Sequence, residues 1–125
     1  MKILFIEDDY EVGKMYATQL ELEQHEVVTV RTAQEALDAL EADRDYDAVI
    51  LDILLPGSNG LAVLQEMQSY EDWRRIPVVV LSNVNPDDLT VRTQHLHDLG
   101  VRDYLVKMDT SPQDLATAVK TAVGA

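Results

Sequence analysis

The 125-residue chain contains no cysteine, which excludes disulfides, thiolate metal centres and cysteine nucleophiles and suits a reducing compartment. Positive charge is scarce: 10 Lys and Arg stand against 23 Asp and Glu, a net charge of −13. A field of that sign repels phosphate backbones, so direct binding to nucleic acid or to an anionic membrane is not expected. No apolar run approaches membrane-spanning length, and no charged leader with a hydrophobic segment and cleavage site opens the chain. Internal repeats, low-complexity tracts and interdomain linkers are missing, as is the glycine–lysine motif of a Walker loop. The expectation is a single cytoplasmic domain over residues 1–125, whose 46% hydrophobic and 26% charged residues suffice for one core.

Short β-rich apolar runs bounded by turn signals predict strands over Lys2–Ile6, Glu26–Val30, Ala48–Leu51, Pro77–Leu81 and Asp103–Val106. Helical spacing fills the intervals. Val12, Met15, Tyr16 and Leu20 share one face of a first helix, and Thr32 with Glu35 offers a capping box for Ala33–Ala42, with Ala36, Leu37 and Leu40 inward. Leu61, Leu64 and Met67 mark a third helix opening near Gly60. Asn85-Pro86 and Ser111-Pro112 pair a capping residue with proline at the first helical position, and Gly100 and Gly124 are stop signals. Leu89, Val91, Leu96 and Leu99 give the fourth helix only a sparse stripe. Five βα units with right-handed crossovers predict an α/β fold: a flavodoxin-like (βα)5 doubly wound three-layer sandwich with a five-stranded parallel sheet of order 2-1-3-4-5.

Ligands of such sheets bind beyond the carboxyl ends of the strands. Those ends carry Glu7-Asp8-Asp9, Asp52, Ser82 and Lys107. Each has an ordinary use: a carboxylate caps the first helix, an aspartate makes a turn, a serine satisfies local backbone, a lysine is solvated. Three successive carboxylates nevertheless repel one another more than capping requires, and a hard cation such as Mg²⁺ relieves that repulsion. Asp52 beside Asp8 would share the cation and keep an oxygen free to attack phosphorus. Lys107 could pair with Asp52 at rest and with a phosphoryl oxygen afterwards. His25, His95 and His97 have no site-like spacing and read as surface or partly buried residues.

Taken in order, Ile-Glu-Asp-Asp at 6–9, Leu-Asp-Ile-Leu-Leu-Pro-Gly at 51–57 with Asn59-Gly60, and Asp-Tyr-Leu-Val-Lys at 103–107 resemble the receiver domain of bacterial two-component response regulators, in a chemotaxis-regulator-like single-domain form. The resemblance covers essentially the whole chain. It implies that Asp52 is the phosphoacceptor, that Glu7 and Asp8 hold Mg²⁺ (or Mn²⁺), with Asp8 the direct ligand of the two, and that the Leu54 backbone carbonyl completes the protein's share of the metal shell. It also implies that Ser82 is the switch hydroxyl, Lys107 the phosphate-binding lysine and Tyr104 the aromatic switch, although an amphipathic tyrosine at a sheet edge needs no such role. The partners implied are a sensor histidine kinase or histidine phosphotransfer protein, a downstream protein or effector domain met by the face of the fourth helix, fifth strand and fifth helix, and a phosphorylation-dependent dimer.

Two departures from the family pattern stand out. Met108 follows Lys107 where proline is usual, often after a cis bond; a non-proline cis bond costs roughly 2.5–4 kcal/mol, so a trans or visibly strained bond is predicted. Asn83 follows Ser82 where a small residue is usual, adding a polar group near the phosphoryl site. Leu54 and Val84, two residues beyond Asp52 and Ser82, are apolar and predict slow self-dephosphorylation. Haloacid-dehalogenase chemistry needs a second acid where Ile53-Leu54 stand, and a flavodoxin's phosphate would meet carboxylates after the first strand. The remaining alternative is a receiver-fold interaction module that works without phosphorylation.

Overall fold

The computed structural model describes residues 1–43, 45–89 and 93–124. Five parallel strands, β1 (Lys2–Ile6), β2 (Glu26–Val30), β3 (Ala48–Leu51), β4 (Val78–Ser82) and β5 (Val101–Val106), form one sheet in the order β2-β1-β3-β4-β5. This is the predicted flavodoxin-like order. Helices α1 (Tyr10–Leu22), α2 (Ala33–Ala42), α3 (Gly60–Gln68), α4 (Thr93–Asp98) and α5 (Pro112–Val123) cover its faces. A two-residue ribbon, Leu54–Leu55 against Ser58–Asn59, and a one-turn helix, Glu71–Arg74, lie either side of α3.

Successive residues of a strand point to opposite faces, so each central strand feeds two cores. Leu4, Ile6, Val49, Leu51 and Val80 pack with Ala36, Leu40, Leu64, Met67 and Leu96 of α2, α3 and α4. Ile3, Phe5, Ile50, Val79 and Leu81 pack with Tyr16, Leu20, Leu115 and Val119 of α1 and α5. Each such fully buried aliphatic side chain is worth about 1.5–3 kcal/mol of transfer free energy.

The register sets the functional edge. Ile6 pairs with Leu51, Leu51 with Val80, and Ser82 with Val106. Glu7 and Asp52 therefore leave the sheet side by side, while Lys107 leaves two rungs further along and two strands away, and its long side chain reaches back to both.

Four sequence expectations are corrected. Strand β4 runs one residue later than predicted, because Pro77 lacks an N–H and joins the ladder only as acceptor, from Val49 N–H at 3.0 Å. Strand β5 starts two residues early; the register slips between Val78 and Val79 and leaves Arg102 as an extra residue, a bulge that breaks the alternation. The buried stripe of α1 is Gly13, Tyr16, Ala17 and Leu20, while Met15 is 48% exposed. Small residues at 13 and 17 bring α1 close to the sheet, which counting bulky apolar positions misses. Asn85-Pro86 opens one 3₁₀ turn, Pro86–Asp88, with Asn85 Oδ1 accepting Asp87 N–H; Leu89 then turns extended (ψ 145°). Helix α4 is described from Thr93, and Val91 of its expected stripe lies outside the described residues.

The Thr32–Glu35 capping box closes on one side only: the Thr32 hydroxyl accepts Glu35 N–H, but Glu35 turns to Arg31 N–H and the Thr32 hydroxyl instead of the Thr32 N–H. Ser111 and Asp114 form a full capping box on α5, and Gly100 and Gly124 take positive φ of 93° and 81°. His95 and His97 are exposed, and His25 is half-buried with Nδ1 3.1 Å from the terminal amine.

At the opposite edge, Lys2 ties β1 to the end of α2 by pairing with Asp43, and reaches Glu26 at 3.4 Å. The hydrogen bond from Lys2, joined by Asp45 N–H, holds the Asp43 carboxyl below its ordinary 3.8. A depressed folded-state value contributes stability above the unfolded value and loses it as pH falls through the folded one. Wild type is therefore expected to exceed Asp43→Asn in urea stability by a constant margin at neutral pH, and the margin should vanish on acidification below 3.8. A margin unchanged down to pH 2 would contradict the pairing.

Candidate functional site

Glu7, Asp8 and Asp9 follow β1 and divide their tasks. Asp9 caps α1, its Oδ1 accepting Val12 N–H at 3.1 Å. Glu7 turns inward and is 1% exposed, whereas Asp8 is half-buried. Asp52, 4% exposed, ends β3, and its Oδ1 accepts Leu54 N–H at 3.0 Å. Carboxylate oxygens of Glu7, Asp8 and Asp52 lie within 4.8 Å of one another.

One lysine answers this negative charge. Lys107 Nζ lies 2.7 Å from Asp52 Oδ2 and 2.6 Å from Glu7 Oε1. Both contacts are ion pairs, and they seat the ammonium between two buried carboxylates. Burial pushes the Glu7 carboxyl above its ordinary 4.5, although Lys107 and the Asp9 N–H pull the other way. Burial opposes the charge on Lys107 too, but its bonds to Asp52 and Glu7 prevail and lift it above 10.5.

These groups line a cleft of about 320 Å³ with Asp9, Val12, Leu54 and Asn83. The donors are hard carboxylate oxygens drawn together from Glu7, Asp8 and Asp52, and that set fits a small divalent cation better than a soft one. Leu54 is 61% exposed at the rim.

Ser82 is fully buried at the end of β4, its Oγ accepting Val84 N–H at 3.3 Å. Tyr104 on β5 is half-buried against the α2–α4 core, and its hydroxyl donates to the Val84 carbonyl at 2.6 Å. Burial, then the Asp52 charge, raise the Tyr104 phenol above 10. Ser82 and Tyr104 thus flank one loop, through Val84. Among the described residues no peptide bond is cis, so Lys107–Met108 is trans.

Four contributors escaped the sequence reading. Gly60 N–H donates to Ile53 O at 2.7 Å, seating α3 directly on the segment after Asp52. Arg31 Nε donates to the Asp8 carbonyl at 3.2 Å. Tyr16 reads as core, yet its hydroxyl donates to Lys107 O (3.1 Å) and Thr110 O (2.6 Å). Met108 N–H donates to Asn83 Oδ1 at 2.9 Å. Arg31 has a legible signal, a cation directly after a strand that ends at the acidic edge, and Asn83 and Met108 stand out as departures from the family pattern, although their meeting is not legible.

The geometry defines a doubly wound α/β domain with an acidic strand-end cleft closed by one lysine. The chain belongs to the response regulator receiver domain family, whose model matches residues 3–120. The sensory/regulatory protein RpfC of Xanthomonas campestris is 36% identical over 124 residues, 96% of this chain but 16% of that protein. The regulatory protein VanR of Enterococcus faecium is 31% identical over 121 residues, 95% of this chain and 48% of its own. The chain thus spans half or less of these curated relatives. Among solved structures, the BeF3-activated N-terminal receiver domain of Klebsiella pneumoniae RstA has a TM-score of 0.81 at 28% identity, with 100% of both chains covered. The chemotaxis response regulator CheY4 of Vibrio cholerae shares the fold, with a TM-score of 0.84 at 22% identity and 97% of each chain covered.

Proposed function

We propose that this chain is a phosphoacceptor switch: Asp52 takes a phosphoryl group from a phosphohistidine of a sensor kinase or phosphotransfer protein. The observation that carries the reading is the Lys107 ammonium held 2.7 Å from Asp52 Oδ2 inside a cluster of three carboxylates. A cation already rests where phosphoryl oxygens would need one, and the carboxylate it pairs with can act as nucleophile. Asp8 and Asp52, with the Leu54 carbonyl and the nearby Glu7, would hold Mg²⁺ (or Mn²⁺), which supplies positive charge to the phosphoryl oxygens. Asp52 Oδ2 attacks phosphorus in line as the bond to the histidine nitrogen breaks; Lys107 turns from the carboxylate to the phosphoryl oxygens as charge moves onto them.

In the product a group of about −1.5 to −2 charge with three acceptor oxygens stands beside Ser82 in place of the single carboxylate charge. The Ser82 hydroxyl would exchange Val84 N–H for a phosphoryl oxygen, freeing the loop on which the Tyr104 hydroxyl rests. The α4-β5-α5 face would then differ between two states, and a downstream protein, an effector domain or a second copy would read that difference. The chain catalyses only its own phosphorylation and slow dephosphorylation.

The test is intact mass after incubation with Mg²⁺ and a small-molecule phosphodonor. Wild type is expected to gain one phosphoryl group and Asp52→Ala none. No adduct on either, with no spectral response to beryllofluoride, would favour the phosphorylation-independent module. Leu54, apolar and 61% exposed at the rim, keeps water out of line with the phosphoryl group. Leu54→Asn is expected to shorten the adduct's half-life severalfold, by chase after donor removal; an unchanged half-life would assign slow loss to another residue.

A further inference from the structure

The two departures from the family pattern, Asn83 and Met108, are 25 positions apart in the chain and meet in space: Asn83 Oδ1 accepts Met108 N–H at 2.9 Å. The same peptide unit is held at its other end. The Lys107 carbonyl accepts the Tyr16 hydroxyl at 3.1 Å and Thr110 N–H at 3.2 Å, and Tyr16 is a 1%-exposed residue of α1. Carbonyl and N–H of one peptide lie in one plane, so fixing both fixes the orientation of that plane.

This matters because of what the plane carries. Lys107 reaches its two carboxylates along a flexible four-carbon stem, and ordering such a stem opposes the contact. A fixed origin lowers that cost. Thr110 closes the far end of the turn, its hydroxyl donating to Val106 O at 2.7 Å and its carbonyl accepting the Tyr16 hydroxyl. On the cleft side, however, residues 107–109 form a single 3₁₀ turn whose first N–H groups have no partner within it, and the Met108 side chain is 80% exposed. Asn83 is itself exposed and lines the cleft with Lys107, yet its carboxamide oxygen serves the backbone of the neighbouring loop.

We propose that Asn83 is a positioning residue for Lys107: together with Tyr16 it clamps the Lys107–Met108 peptide and so aims the ammonium at Asp52. A proline at 108 would have no N–H to offer, so the amide acceptor and the non-proline residue work as a pair. The consequence for phosphoryl transfer rests on the function proposed above; the placement of Lys107 does not, and it is read on metal-free protein.

The experiment uses the full chain as wild type, Asn83→Ala and Asn83→Asp, the last keeping the acceptor oxygen. In Asn83→Ala the Met108 amide is expected to exchange with solvent about fivefold faster, the worth of one neutral hydrogen bond, and Asn83→Asp should restore it. The Lys107 ammonium resonance, held by Glu7 and Asp52 in wild type, should move towards that of a free lysine in Asn83→Ala. Phosphoryl uptake by Asn83→Ala should fall about tenfold while Mg²⁺ binds at least as tightly as to wild type, as expected for a misaimed group. An unchanged Met108 amide, or a faster one with the Lys107 resonance unmoved, would overturn the proposal and leave the bond a local loop contact. Should wild type accept no phosphoryl group, the proposed function falls, while the Met108 and Lys107 resonances still decide the role of Asn83.

Discussion

Gly60→Ala is expected to destabilise the protein by about 3 kcal/mol, the upper end of the usual cost of overpacking, and to abolish most phosphoryl uptake. A Cβ at this position would overlap the Asp52 carbonyl oxygen and lie 2.9 Å from Ile53 Cα. Both neighbours are backbone, so neither can rotate away. Relief requires either α3 to lift from the sheet, breaking the 2.7 Å bond from Gly60 N–H to Ile53 O, or the end of β3 to shift with Asp52 on it. Gly57→Ala is the matched control. Its φ of +66° penalises a side chain, but nothing lies within 4 Å, so only the left-handed backbone cost of about 1–2 kcal/mol is expected, with the site intact. Urea unfolding and intact mass read both variants. A Gly60→Ala protein as stable as the Gly57→Ala control would show that the α3–β3 contact yields easily.

Lys107→Met is expected to separate binding from chemistry. The substitution keeps the stem and removes the ammonium, leaving Glu7 and Asp52 facing each other while 1% and 4% exposed. Removing one partner from a buried ion pair typically costs about 3 kcal/mol or more, and metal-free Lys107→Met should lose that much at pH 7. Burial already holds the Glu7 carboxyl above its ordinary value. A raised folded-state value contributes stability that is present below the unfolded value and is lost as pH rises through the folded one. The deficit of the variant should therefore shrink on acidification towards 4.5. Mg²⁺ should bind at least as tightly as to wild type, because the competing cation is gone; at about 100 times Kd it would return roughly 2.7 kcal/mol. Phosphoryl uptake should nevertheless fall about 10²–10³-fold, the usual loss when a charge-stabilising group is removed. Weaker Mg²⁺ binding together with undiminished uptake would refute the role given to Lys107.

The contrast between these variants shows where the site was legible. Asp52 and Lys107 announce themselves, since each ends an apolar strand-forming run, fully buried before Asp52 and half-buried at the sheet edge before Lys107, and strand ends are where polar residues converge. The close approach of Gly60 is silent in the chain, because a glycine after Asn59 also reads as an ordinary helix start. The same holds for Tyr16: its spacing declares it core, and nothing in the sequence says that its hydroxyl reaches a carbonyl 91 residues away. Met15 and the start of β5 were misread for a related reason. Hydrophobic periodicity reports average burial and is blind to close packing by Gly13 and Ala17, and to a bulge at Arg102.

The sequence by itself determined the number and order of strands, the two-sided core and the residues that leave the sheet at its functional edge. The strands and the core follow from local periodicity, the covering of both faces from right-handed βα crossovers, and the order from the doubly wound arrangement common to five such units. Tertiary structure alone decided how those residues share charge and backbone: that Lys107, besides the expected Asp52, also takes Glu7, that Asp9 is the carboxylate that caps the helix, and that Asn83 meets Met108. Such contacts depend on register between distant segments to within about one hydrogen-bond length, and no local pattern in a chain encodes distances of that kind.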